Sequence, residues 1–241
     1  MIRKNDNLHP EEGDFVLAFD TCAAYLCVTA GTSDRHSSLV QPGANRSSID
    51  LVPAIQSLLE KEDRRKPDYI IATVGPGSFT GSRIGVSTAR NLAMLWDIPV
   101  AGFYSLQFYA QSLLSQYDAP FLVSIDGKQS KFYSLLIADS REILSTKEAD
   151  LQDWTAEQIA AHSRGLPIYC DQPQLLQERI QTQLEIFPLP APEPKAFFDL
   201  IQGAGNLRLH NYEELVPVYV RNDPATARYP GGFQHRSPEK S

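Results

Sequence analysis

The sequence predicts an α/β protein of two related halves, each a mixed sheet flanked by helices, and three observations carry that expectation. First, a compact apolar run ending in a carboxylate, Phe15 to Asp20 (FVLAFD), is followed a few residues later by a second β-favouring run, Tyr25 to Ala30 (YLCVTA). Together they read as a hairpin with Asp20, Thr21 and Cys22 at its turn. Second, the arrangement returns further on, where Phe121 to Ile125 leads into Lys131 to Ala138 across a turn at Asp126-Gly127. Third, the run Tyr69 to Val74 (YIIATV), the glycine-rich stretch Gly75 to Gly81, a helix from about Ser82 to Trp96 and the run Ile98 to Phe103 form a strand, turn, helix, strand series. That series is the mark of parallel pairing through a βαβ unit.

The remaining elements follow from the same periodicities. Ile49, Val52, Ile55, Leu58 and Leu59 recur at helical spacing ahead of a charged stop, Glu60 to Lys66. Pro53 suits that helix if it begins near Asp50, where a missing N–H in the first turn is harmless. A helix is expected around Leu106 to Ser115, another over Glu157 to His162, a strand over Leu166 to Cys170 and a helix over Gln174 to Gln183. Phe187 to Pro194 is proline-dense and is expected to break regular structure. The halves are expected to join near Ser105, giving units 1–105 and 106–228, with 229–241 (YPGGFQHRSPEKS) as a disordered tail.

Composition narrows the function. Of 241 residues, 42% are hydrophobic and 21% charged, ordinary globular usage that excludes wholesale disorder and coiled coil. The net charge of −7 repels a polyanion over most of the surface, which argues against autonomous tight binding to nucleic acid. Cys22, Cys27 and Cys170 are odd in number and form no C-x-x-C, so a reducing compartment fits best. The polar opening, Met1 to Asp14, and the lack of a long apolar run lead to the expectation of a soluble cytoplasmic protein with no membrane partner.

Few residues carry chemistry by themselves. Gly75 and Gly77 permit close backbone approach and Gly81 opens the next helix, whose first amides could hold an anion, but a tight strand-to-helix turn explains them as well. The spacing matches neither the dinucleotide fingerprint nor a P-loop. Gly85, Ala89 and Ala93 form a stripe without side-chain bulk, which invites close packing either on the protein's own sheet or on a partner. Leu92, Leu95 and Trp96 lie on other faces, so this helix is apolar over more than one covering layer needs. Asp20 and Asp126 end strands, where a carboxylate could hold magnesium and where aspartate is also good turn chemistry. The scattered histidines His9, His36, His162, His210 and His235 offer no metal site, and no G-x-S-x-G elbow anchors nucleophilic catalysis.

The stretch Val74 to Leu106 (VGPGSFTGSRIGVSTARNLAMLWDIPVAGFYSL) closely resembles the TsaB family, the non-catalytic dimerisation subunit of the machinery that makes threonylcarbamoyladenosine in tRNA. FVLAFDTC, IDLVPAIQSLL, IDGKQSKFY and ELVPVYVR extend the resemblance over most of the chain, weakly between about 141 and 211. It implies an actin-like, RNase H-like fold in two tandem halves. It also implies docking of the helices Asp50 to Leu59 and Arg83 to Trp96 on the catalytic sibling TsaD, recruitment of the ATPase TsaE through that pair and indirect action on tRNA; with no partner present, the same apolar face is expected to pair with its own copy in a homodimer. The partner-binding residues expected are Ile55, Leu58, Leu59, Ile84, Gly85, Thr88, Ala89, Leu92 and Ala93, and a vestigial nucleotide site is expected at Asp20, Thr21, Gly75, Gly77 and Asp126.

The sibling's metal-binding His-x-x-x-His pair falls on Ser105 and Tyr109 here, neither a substitute for imidazole, so no metal, no cofactor and no catalytic residue is expected. Within the family's pattern, Asp20-Thr21-Cys22 replaces Asp-Thr-Ser, and Asp126-Gly127-Lys128 replaces Asp-Ala-Arg. The competing reading is an actin-like ATPase or small-molecule kinase with magnesium between Asp20 and Asp126, the glycine stretch on phosphate and Arg83 and Lys128 as its cations. A metallopeptidase lacks ligands. Direct RNA contact would fall to a local patch such as Arg221 and Arg228.

Overall fold

Both expected hairpins form, and each seeds a mixed sheet. The computed structural model describes residues 9–11, 13–43, 46–204 and 207–220. In the first sheet β1 (Val16–Asp20) pairs antiparallel with β2 (Tyr25–Gly31), and β2 antiparallel with β3 (His36–Pro42). On its other side β1 runs parallel to β4 (Tyr69–Thr73), which runs parallel to β5 (Val100–Phe103). In the second sheet β6 (Phe121–Asp126) pairs antiparallel with β7 (Lys131–Ile137), and β7 with β8 (Gln152–Thr155). Here β6 runs parallel to β9 (Ile168–Cys170) and β9 to β10 (Ile186–Pro188). The orders β3-β2-β1-β4-β5 and β8-β7-β6-β9-β10 are the same five-stranded topology built twice.

Strand β1 reads as an unbroken apolar run because both of its faces are covered. Leu17 and Phe19 point into a core shared with Leu51, Ile55, Leu58 and Leu59 of α1 (Ser47–Lys61) and Val86, Ala89 and Ala93 of α2 (Phe79–Trp96). Val16 and Ala18 point the other way, into a core with Leu106, Phe108, Tyr109 and Leu113 of α3 (Ser105–Leu114) and with Phe121, Val123, Leu135 and Ile137 of the second sheet. Helix α3 is thus a wedge between the sheets. Under the second sheet, Ile159 of α4 (Ala156–Ser163) and Leu176 of α5 (Pro173–Glu178) pack on Leu122 and Ile168. Helix α6 (Ala196–Gly203) lies against α3, with Phe197 stacked on Phe108 at 4.0 Å between ring centroids.

Several expectations are corrected. Helix α1 begins at Ser47 rather than near Asp50, so Pro53 falls inside it, on the exposed face where water can bond the carbonyl that loses its helical partner. Helix α5 stops at Glu178, because beyond it only Ile180 is apolar before Leu184. The proline-dense stretch contributes β10, whose Pro188 closes an edge strand where no ladder bond is lost. Strands β3 and β8 and helix α6 had no counterpart in the sequence reading. Both strands are edges, and their partly exposed, polar sequences carry little hydrophobic pattern.

The closing segment, expected in the second half, returns in its described part to the first. His210 and Val100 exchange backbone hydrogen bonds of 2.9 and 2.7 Å, Leu215 enters the α1–α2 core, and Val218 N–H donates to the Val74 carbonyl at 2.8 Å. The expected disordered tail, 229–241, lies outside the described residues.

Helix α2 is fixed at both ends. The Ser78 hydroxyl accepts the Gly81 N–H at 3.1 Å, and Asp97 caps the other end in the left-handed region, φ 52°, before Pro99. A methyl at Gly81 would lie 2.0 Å from the Thr21 carbonyl oxygen. Ala has the better helix propensity by about 1 kcal/mol, but the backbone clash outweighs it. Gly81→Ala is therefore expected to cost about 3 kcal/mol net, read as a fall in the urea midpoint at unchanged m-value.

Candidate functional site

Between the halves lies a cleft of about 720 Å³. The turn at 21–24 and the loop 77–81 line one wall, the hairpin tip 125–129 with Asp171 the other, and Tyr219 of the returning segment the rim. Three consecutive residues of that tip, Lys128, Gln129 and Ser130, have φ of 62°, 52° and 64°, a left-handed run that costs energy for non-glycine residues and shapes the wall. Across the rim, Arg83 lies 3.8 Å over the Phe79 ring and its Nε donates to the Tyr219 hydroxyl at 2.8 Å, clamping the returning segment to α2.

Of the five residues expected to form a nucleotide site, Thr21, Gly77 and Asp126 line the cleft, whereas Asp20 and Gly75 do not. Asp20 is wholly buried: its Oδ1 accepts the Thr73 hydroxyl and the Cys22 N–H, and it does not line the cleft. Burial pushes its carboxyl up to about 6 and the neighbouring Cys22 thiol up to about 12. Thr21 uses its hydroxyl on the Gly81 carbonyl at 2.7 Å. Gly77 is needed because a methyl there would lie 2.2 Å from the Cys22 carbonyl oxygen, and the Ser78 N–H already donates to that oxygen at 2.6 Å. The Gly75 carbonyl receives the Ser105 N–H at 2.9 Å. The glycine stretch is thus packed closely on the protein's own backbone while its residues 77–81 also line the cleft.

Asp126 does face the cleft, paired with Lys128 Nζ at 2.6 Å, while its N–H donates to Asp171 Oδ1 at 2.8 Å. Asp171, which the sequence reading did not single out, is pushed up to about 6, chiefly by burial. Its signal in the sequence was its place immediately after the expected strand ending at Cys170. Among the described residues no three His, Cys, Asp or Glu side chains are placed to hold a metal ion, and no helix is long and apolar enough to cross a membrane.

The expected docking residues divide by burial. Ile55, Leu58, Leu59, Gly85, Ala89 and Ala93 are buried in the first half. The reason is steric: the small stripe lets α2 settle on its own sheet, where a methyl at Gly85 would lie 2.4 Å from Thr21 Oγ1. Ile84, Thr88 and Leu92 stay half-buried on the outer flank. Beside them, outside the expected docking residues, the structure exposes Ile49 at 64% and Val52 at 47% on α1 and Met94 at 57% and Leu95 at 73% on α2. Ile84, Thr88, Leu92 and Leu95 follow one helical stripe, and α1 packs beside α2. Arg221 and Arg228 lie outside the described residues.

Comparison with known proteins places this geometry. Residues 43–201 match the family model TsaD, tRNA N6-adenosine threonylcarbamoyltransferase. The chain is 33% identical over 196 residues to the tRNA threonylcarbamoyladenosine biosynthesis protein TsaB of Bacillus subtilis, covering 76% of this chain and 82% of that protein. It is 28% identical over 123 residues to the protein of the same name from Buchnera aphidicola of Schizaphis graminum, a match spanning 50% of this chain and 59% of that one. YeaZ from Pseudomonas aeruginosa superposes with a TM-score of 0.68 at 19% identity, over 86% of this chain and 99% of that chain, and shows the fold.

Burial of Asp20 makes stability depend on pH. Its carboxyl is near 3.8 in the unfolded chain and about 6 when folded, so the folded state favours the proton. The stability that Asp20 contributes through its proton is therefore fully present below about pH 4 and is lost as pH rises through 6, about 3 kcal/mol in all. Asp20→Asn is expected to raise the melting temperature at pH 8 and to be near neutral at pH 4, a difference that thermal unfolding at the two pH values measures.

Proposed function

Since the chain belongs to the TsaB family, whose named members are tRNA threonylcarbamoyladenosine biosynthesis proteins, we propose that it serves tRNA threonylcarbamoylation as a non-catalytic scaffold that docks on TsaD. The observation that carries this reading is the outer face of α1 and α2. Ile49, Val52 and Leu95 leave apolar surface in water on two adjacent helices that already have a full core behind them. A surface of this kind is stable in solution when another chain covers it. Against TsaD it makes a heterodimer; alone, it pairs with its own copy, since a two-fold contact is the commonest way to close such a patch.

The non-catalytic role is supported by what stands at the sibling's metal-binding positions. Ser105 and Tyr109 are both sealed inside the core, at 0% and 1% exposure, and so is Asp20. TsaE and tRNA then join through the assembled pair, with TsaD making most of the phosphate contacts, in keeping with the net charge of −7 on this chain.

Because the exposed residues are not part of the core, substitutions there separate docking from folding. Leu95→Glu combined with Val52→Glu is expected to leave the melting temperature within a few degrees of wild type while weakening TsaD binding at least about 30-fold. Leu136→Glu, on the distant strand β7, is expected to leave binding unchanged. Sizing the purified chain with and without TsaD, together with titration calorimetry, reads both effects; undiminished assembly of the double variant would place the interface elsewhere.

A further inference from the structure

The cleft and the exposed helical face share residues. On α2, Thr80 and Ile84 line the cleft, and Thr88, Leu92 and Leu95 continue from them at helical spacing, so one stripe leaves the cleft and runs about 22 Å along the helix. On α1 the same holds over a shorter span: Ser48 lines the cleft, and Val52, one turn further on, is exposed. Both helices thus begin at the cleft wall and carry their outward apolar residues away from its mouth. At the mouth itself stand Phe79 and Tyr219, both exposed, both lining the cleft, with 5.5 Å between ring centroids.

A stable interface buries about 800 Å² on each partner, drawn from roughly 20–30 residues. Ile49, Val52, Leu92, Met94 and Leu95 fall well short of that, so the footprint of a docked chain must extend beyond them. Past the C-terminal ends of the two helices the surface is charged, with Arg64, Arg65 and Lys66 after α1 and Asp97 after α2 all exposed. Past the N-terminal ends it stays apolar through Phe79, Tyr219 and, in the same returning segment, Val216. Arg83, over the Phe79 ring and donating to the Tyr219 hydroxyl, holds the two aromatic side chains in place before any partner arrives, so little side-chain freedom is lost on docking. Tyr, Phe and Arg are also the residue types that interfaces favour.

We propose that TsaD, on the docking reading from which this follows, reaches Phe79 and Tyr219 and so stands over the mouth of the cleft, which its arrival closes. The face and the cleft are then one surface that meets at Thr80 and Ile84. Assembly decides when the cleft can be entered, and whatever the cleft takes up must enter before the two chains join.

A thiol placed in the cleft tests this, because Cys22, Cys27 and Cys170 are all fully buried. Gln172→Cys puts the reporter on the wall opposite α2, and Gln177→Cys, on exposed surface of α5, lies outside the cleft. With a fluorescent maleimide on the full chain, saturating TsaD is expected to slow labelling of the Gln172→Cys variant at least about ten-fold and to leave that of the Gln177→Cys variant unchanged. Phe79→Glu, at an exposed position, is expected to weaken TsaD binding at least about ten-fold by calorimetry while the melting temperature stays within a few degrees of wild type. A complex seen on sizing together with full-rate labelling of Gln172→Cys, or undiminished binding of Phe79→Glu, would overturn the closure and leave the docking reading standing. Failure of any complex to form would overturn both.

Discussion

The contact on which the molecule turns is backbone against backbone, where the loop 77–81 lies on the turn at Thr21 and Cys22. With methyl groups excluded at 2.2 and 2.0 Å, and bonds from Ser78 N–H to the Cys22 carbonyl and from the Thr21 hydroxyl to the Gly81 carbonyl, the two segments behave as one rigid corner. Asp20 is sealed beneath that corner. Helix α2 leaves it already close to the sheet, so its small stripe can only face inward, and its larger apolar residues are turned outward. The same approach that makes a tight corner therefore makes a greasy exterior.

This ordering explains which features were legible in the sequence. Period-two runs bounded by turns gave the two hairpins, and the strand, glycine, helix, strand series gave the parallel pairing, because these signals are local. Strands β3 and β8 escaped because an edge strand with partly exposed polar residues has little periodicity to read. The direction of the α2 stripe escaped for a different reason. Periodicity shows that Gly85, Ala89 and Ala93 share a face, but which face turns inward depends on Thr21 and Phe19, some sixty residues away in the chain. Exposed Leu95 and buried Ala89 are thus the reverse of what hydrophobicity by itself suggests, because a sheet needs proximity more than bulk at that crossing.

The duplicated topology also shows how one position can diverge. Asp20 and Asp126 end equivalent strands, β1 and β6, at the head of equivalent hairpins. The first is walled in by Thr73, Cys22 and α3, and its charge is disfavoured. The second keeps access to the cleft, holds Lys128 and lends its N–H to Asp171. A fold built on repeated halves need not use them alike, and here the first half carries the exposed helical face while the second carries the ionic wall.

The return of residues 207–220 makes the first half discontinuous, with 105–204 set into it like an inserted unit. In chain order the inserted unit is complete before Leu215 and Val218, on which its host draws, are reached. Without them the α1–α2 core lacks one of its fillers and Val74 lacks its outer bond. The exposed face of α1 and α2 is therefore backed by a core that draws on Leu215, far beyond the end of α2 in the chain.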